Sequence, residues 1–160
     1  MNKNKIQSEI TLDLLKSVSF EQFKLFLDSL NKEKKTWSLD LQNFKNEKDF
    51  YENIGTCFLS MHKNDIVGLI SIYTDHKMKT FDISFLVKKE YQGIGIGTMM
   101  ISLLEINLIN QGYFGYKLIA KHYKDNIASM KAFNKAGWEN NYSITGSKLM
   151  YRFKEIKDYK

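Results

Sequence analysis

The sequence predicts an α/β domain, and three observations carry that expectation. The 160 residues are 43% hydrophobic and 26% charged, the balance of one soluble globular domain able to bury roughly 70% of its unfolded surface without disulfide or metal. From residue 56 onward, apolar runs of strand length are separated by short polar turns. Two later helical stretches each follow a turn, one rich in glycine and one opened by asparagine. There is no proline, so the elements are unbroken and joined by Gly, Asn and Asp turns.

Each element has its own signal. Ile10 to Leu14 is apolar enough for a first strand. Ser19 with Gln22 three residues on forms a capping box, and Phe20, Phe23, Leu27 and Leu30 recur at helical spacing, so a helix is expected over 20–31. Lys32 to Lys35 reads as its solvated end. A weaker helix is expected over 46–53, closed by Gly55. Strands follow at 57–61, 66–74 and 81–87. The glycine turn at 92–97 then opens a long helix ending at Gly112, with Met100, Leu103, Leu104 and Leu108 as its apolar face. A strand over 116–122, a helix over 126–136 ended by Gly137, and a hairpin of 138–145 with 148–153 complete the chain. No repeat or linker interrupts it, and 1–160 reads as a single domain.

Composition excludes several functions. Cys57 is the lone cysteine, so no internal disulfide and no Cys-x-x-Cys metal or redox pair forms; it reads as a core residue. His62 and His76 lack metal-ligand spacing, and no metal is expected. Neither a secretory signal nor an 18-residue apolar run is present, so the expectation is a cytoplasmic protein without a membrane partner. Arg152 is the sole arginine. Nucleic-acid readers lean on arginine for bidentate contacts, so no nucleic-acid partner is expected despite the net charge of +6. Residues 1–80 hold 12 Lys against 11 acidic residues, whereas 81–160 hold 12 Lys+Arg against 7. The second half is where an anionic ligand is attracted.

The most informative stretch is Gln92-Gly93-Ile94-Gly95-Ile96-Gly97-Thr98, behind a strand and ahead of a helix. Such a junction is an anion site, because unpaired backbone N–H groups converge and the helix dipole adds to them. Spacing excludes two nucleotide loops. A dinucleotide turn needs Gly-x-Gly-x-x-Gly, yet Thr98 stands at the third position, and no acidic residue follows about 20 residues on. A Walker loop needs Gly-Lys-Ser/Thr, but Gly97 runs directly into Thr98.

What remains, Gln-x-x-Gly-x-Gly over Gln92 to Gly97, resembles the pyrophosphate-binding motif of the GNAT acetyltransferase superfamily. A second motif strengthens the resemblance. Asn126-Ile-Ala-Ser129-Met-Lys-Ala-Phe133-Asn-Lys135-Ala-Gly137-Trp138 is similar to the family's Asn-x-x-Ala/Ser-x-x-x-Tyr-x-Lys-x-Gly-Phe signature. The resemblance covers about residues 56–153. It implies a mixed sheet of six to seven mostly antiparallel strands with about four helices, and strands four and five splayed at the coenzyme site. It also implies acetyl-CoA as co-substrate. Backbone groups of Leu86 and Val87 would hold the pantetheine arm and thioester, and Gln92 through Thr98 the pyrophosphate. Asn126 would bond the pantetheine end, with Ser129, Ala132, Phe133 and Ala136 packed along the thiol arm. Lys135 or Lys131 would approach the phosphates. The sequence departs from the family at Phe133, where many members carry a tyrosine that protonates the leaving thiolate; phenylalanine donates no proton.

Acetyl transfer needs a neutral amine and therefore a base. Asp82, five residues before Val87, is the first candidate, with Phe81 and Phe85 expected to desolvate it and raise its pKa. His122 is the runner-up. Trp37, Phe50, Tyr51, Tyr73, Tyr142 and Tyr151 are candidates to line the acceptor cleft. The motif's form looks closer to small-molecule and nucleotide-sugar acetyltransferases than to histone-type enzymes. The reading is N-acetylation of a small amine, with amino sugars and nucleotide-linked amino sugars among the candidates and a homodimer left open. Protein Nα- or Nε-acetylation and a non-catalytic acyl-CoA-binding module are the alternatives.

Overall fold

In the computed structural model, which describes residues 9–14, 18–30, 56–138 and 140–158, the first helix starts where its capping chemistry places it. The Gln22 N–H donates to the Ser19 hydroxyl at 3.2 Å, and the Ser19 N–H donates to the Gln22 side-chain oxygen at 3.1 Å. Two orphan donors are thereby satisfied reciprocally, and α1 runs from Phe20 to Leu30. Its buried ridge is Phe23, Phe26 and Leu30, while Phe20 and Leu27 are only partly buried against it. The expected apolar face is therefore rotated toward Phe26. The helix expected over 46–53 and the residues Trp37, Phe50 and Tyr51 lie outside the described residues.

The strands are β1 (Ile10–Leu14), β2 (Thr56–His62), β3 (Asp65–Asp75), β4 (Thr80–Val87), β5 (Lys117–Tyr123), β6 (Asn140–Tyr142) and β7 (Leu149–Glu155). They hydrogen-bond in the order β1-β2-β3-β4-β5-β7-β6. Between β4 and β5 come a 3₁₀ turn at Lys89–Tyr91 and α2 (Ile96–Asn110); α3 (Ile127–Lys135) follows β5. β4 and β5 are parallel, which requires the crossover that α2 supplies. β1 with β2, β5 with β7 and β6 with β7 are antiparallel. This is the mixed sheet that the resemblance implies.

The chain divides into two compact units. The first comprises Met1–Ser71 with Ser84–Ile96, the second Ile72–Ile83 with Gly97–Lys160. In the first unit, α1 buries its ridge against Cys57, Leu59, Met61, Ile66 and Leu69. Burial pushes the Cys57 thiol up to about 12, so it stays protonated and packs as a small apolar side chain.

In the second unit, α2 buries Met100, Ile101, Leu104 and Leu108. Leu103, expected on that face, is half-buried, and Ile101 takes its place. Phe81 is enclosed by two rings, Tyr113 at 5.0 Å and 90°, and Tyr116 at 5.0 Å and 28°. No helix among the described residues is long and apolar enough to cross a membrane.

Candidate active site

In the first unit, β4 ends at Val87 and the chain turns at once. The Lys88 N–H donates to the Val67 carbonyl at 2.8 Å, and the 3₁₀ turn then carries the chain to Tyr91 and Gln92. Gln92 is exposed, and its side-chain amide donates back to the Val87 carbonyl at 2.9 Å. The first residue of the glycine motif therefore ties the turn to the strand behind it. Gly93 and Gly95 have φ of 74° and 93°, left-handed values that cost a side-chain-bearing residue about 1–2 kcal/mol. A Cβ at Gly93 would meet nothing within 4 Å, so the space over the turn is open. α2 starts at Ile96, leaving the N–H groups of its first turn without intrahelical acceptors. Left-handed glycines, open space and orphan donors fit an extended phosphate group. Leu86 and Val87 are half-buried, and Leu86 packs against the first unit's core.

Sequence reasoning overlooked what stands behind Gln92. The buried Tyr91 hydroxyl lies 3.3 Å from His62 Nδ1, and His62 Nε2 lies 3.1 Å from a Glu9 carboxylate oxygen. These residues are 29 and 53 positions apart, beyond the reach of any local pattern.

In the second unit, Asn126 caps α3, its side-chain oxygen accepting the Ser129 N–H at 3.0 Å. That leaves the Asn126 amide nitrogen as the available donor. Ser129 and Ala132 are half-buried, Lys131 and Lys135 exposed. Phe133 is 2% exposed; its ring stacks on His122 at 6.0 Å and packs on Trp138 at 4.9 Å. It is a core side chain.

The two candidate bases lie on opposite faces of the sheet. Lys121 and His122 are consecutive on β5, so their side chains alternate. Asp82 pairs with Lys121, Nζ to Oδ2 3.3 Å, and both side chains are well exposed at 41% and 46%. The Lys121 ammonium also lies over the Tyr151 ring at 6.0 Å, and Tyr151 stacks on Tyr142 at 4.8 Å. Asp82, Lys121, Tyr151 and Tyr142 thus form a row across four strands. Tyr73 is 74% exposed on β3. The expected desolvation of Asp82 by Phe81 and Phe85 fails, because alternation along β4 sends both rings to the face opposite the carboxylate.

His122 is buried and fully engaged. Its Nδ1 donates to the Tyr123 carbonyl at 2.8 Å, which leaves Nε2 to accept the Arg152 Nε–H at 3.2 Å. Burial holds its pKa below the usual 6.5, the Tyr123 carbonyl opposes that shift, and the Arg152 charge adds to it. The lone arginine is itself buried and also donates to the Trp138 carbonyl at 3.3 Å. Around the same indole, Glu105 accepts the Trp138 ring N–H and pairs with Lys154 at 2.7 Å.

Comparison with known proteins gives one consistent result. Residues 20–138 match the acetyltransferase (GNAT) family. A GNAT-family acetyltransferase from Streptococcus pneumoniae superposes with a TM-score of 0.71 at 16% identity, covering 92% of this chain and 99% of that one. Aminoglycoside acetyltransferase AAC(6')-Ib, solved with coenzyme A, has a TM-score of 0.71 at 18% identity, covering 91% and 94%. The ribosomal alpha-N-protein acetyltransferase RimL, also with coenzyme A, has a TM-score of 0.71 at 14% identity, covering 94% and 96%. No curated protein matches the chain.

Proposed function

Because the chain belongs to the acetyltransferase (GNAT) family, whose reaction is acetyl-CoA-dependent N-acetylation, we propose that its acceptor is the primary amine of a small molecule, an amino sugar or nucleotide-linked amino sugar. The observation that carries the coenzyme assignment is the turn itself: Gln92 bound to the Val87 carbonyl, left-handed Gly93 and Gly95, and the open N-terminus of α2. On this reading, backbone groups from Gln92 to Thr98 receive the pyrophosphate, backbone groups of Leu86 and Val87 hold the pantetheine arm, and the Asn126 amide donates to its end. Ser129 and Ala132 pack along the thiol arm with Phe133 supporting them from the core, and Lys135 approaches the phosphates.

Asp82 is the base we propose. Lys121 pairs with one carboxylate oxygen and the Asp82 side chain is 41% exposed, so the group can take a proton from the amine directly or through water. The freed nitrogen attacks the thioester carbonyl, the carbon–sulfur bond breaks, and the acetyl group passes to nitrogen. Phe133 has no proton for the departing thiolate, so water or the protonated nitrogen of the tetrahedral intermediate supplies it, leaving the neutral amide and the thiol. The Tyr142–Tyr151 stack beside Lys121 supports an acceptor with a ring to lay against it.

The test is coenzyme A release measured with glucosamine, a UDP-linked amino sugar, spermidine and a peptide with a free N-terminus. Turnover of the sugars supports the reading. Turnover of the peptide alone assigns protein acetylation, and coenzyme binding with no turnover assigns a binding module.

A further inference from the structure

We propose that Tyr91 and His62 are positioning residues for the pyrophosphate-binding turn, with Glu9 setting the tautomer that makes the pair work. The inference rests on the coenzyme reading above. Tyr91 directly precedes Gln92 and is buried, while the turn it leads into is exposed at Gln92 and Gly93. A carboxylate accepts only, so His62 donates its Nε2–H to Glu9 at 3.1 Å, and in the neutral ring that tautomer leaves a lone pair on Nδ1. That lone pair accepts the Tyr91 O–H across 3.3 Å. The phenol keeps its proton, because burial raises its pKa and the charges of Asp65 and Glu90 raise it further. The rings also meet edge to face, 5.7 Å apart at 67°.

The consequence is mechanical. Glu9 adjoins β1, and His62 on β2 pairs with Ile10 of β1. The chain of two hydrogen bonds therefore fastens the residue ahead of the turn to two paired strands. Gln92 fastens the next residue to the end of β4. Donors that must converge on one anion bind it well only when they are held in place beforehand. Tyr91 and His62 supply that hold without touching the ligand.

The experiment compares acetyl-CoA with S-acetylpantetheine, which has the same thioester but no pyrophosphate. Tyr91→Phe keeps the ring and removes the hydrogen bond. It is expected to raise KM for acetyl-CoA and Kd for coenzyme A by about two- to tenfold, the range one hydrogen bond supports, with kcat unchanged. Its kcat/KM for S-acetylpantetheine should equal that of the wild type. His62→Leu should reproduce this loss, and His62→Asn, whose side-chain oxygen can replace Nδ1 as acceptor, should recover most of it. Equal losses with both thioesters would show general damage to the fold and overturn the proposal, as would wild-type KM for acetyl-CoA in Tyr91→Phe. A wild-type enzyme indifferent to the pyrophosphate would instead remove the coenzyme reading underneath.

Discussion

Replacing Asp82 by asparagine separates chemistry from structure, because the side chain is exposed and its pairing is simple. Asp82→Asn preserves shape but removes the oxygen proposed to take the proton. It also leaves Lys121 without its partner at 3.3 Å. That ion pair is more than a third exposed on both sides, so its loss costs stability at most about 1 kcal/mol and the melting temperature should hardly move. Positioned general-base catalysis contributes roughly 10²- to 10⁴-fold. Turnover at pH 7 should fall by that order, while Kd for acetyl-CoA stays unchanged. The deficit should narrow as pH rises toward the amine's own pKa, since free amine then arrives without help. Lys121→Met is the control: it breaks the same pair, keeps the carboxylate, and should retain turnover. The assay is initial-rate coenzyme A release between pH 6 and 10 with the best acceptor of the panel. Asp82→Asn turning over within about threefold of the wild type would refute the assignment, since general-base catalysis is worth at least about a hundredfold.

Three further outcomes are expected. Gly95→Glu places a side chain and a negative charge at a φ of 93° over the turn; coenzyme A binding by calorimetry should disappear while the fold survives, and wild-type affinity would move the pyrophosphate elsewhere. His122 is held neutral by burial, so the folded protein binds its proton less readily than the unfolded chain. Stability should be full above pH 6.5 and fall as pH drops toward the lowered folded value, by at most about 1.4 kcal/mol per pH unit. His122→Gln should lose that slope in urea titrations, and an unchanged slope would mean other groups produce it. Phe133→Ala empties a site between His122 and Trp138 and should cost about 3–5 kcal/mol in urea denaturation; a cost below about 1 kcal/mol would show that the ring is not core.

What could be read from the sequence was local. The Ser19–Gln22 capping box, the Gln92–Gly97 turn and the Asn126 cap all depend on contacts within five residues. α2 was harder to read because it is apolar almost all round, so spacing could not choose between Leu103 and Ile101. The error over Asp82 has another origin. Phe81 and Phe85 are neighbours of its strand in sequence but lie on the other face in space. Cross-strand relations were out of reach altogether: Arg152 on His122 spans 30 positions and Lys121 on Asp82 spans 39. Only the register of β5 with β7, and of β4 with β5, brings those side chains together.

That register also bears on the missing tyrosine. With Phe133 in the tyrosine position, His122 is the obvious substitute proton donor, because the two rings are stacked. Its hydrogen bonds argue against the exchange. The Nδ1 proton is committed to the Tyr123 carbonyl and the Nε2 lone pair to Arg152. Donating the proton would leave an imidazolate, and accepting one first would displace a buried guanidinium from its partner. Arg152, too, holds its charge against desolvation by bonding His122 and the Trp138 carbonyl. The His122–Arg152–Trp138 group is therefore best understood as a filled polar core beneath α3, closed to proton traffic. The opposite face of β5 carries Lys121 beside Asp82, where both side chains are open to solvent. Alternation along a single strand thus gives one face to rigidity and leaves the other, on the reading proposed above, to proton transfer.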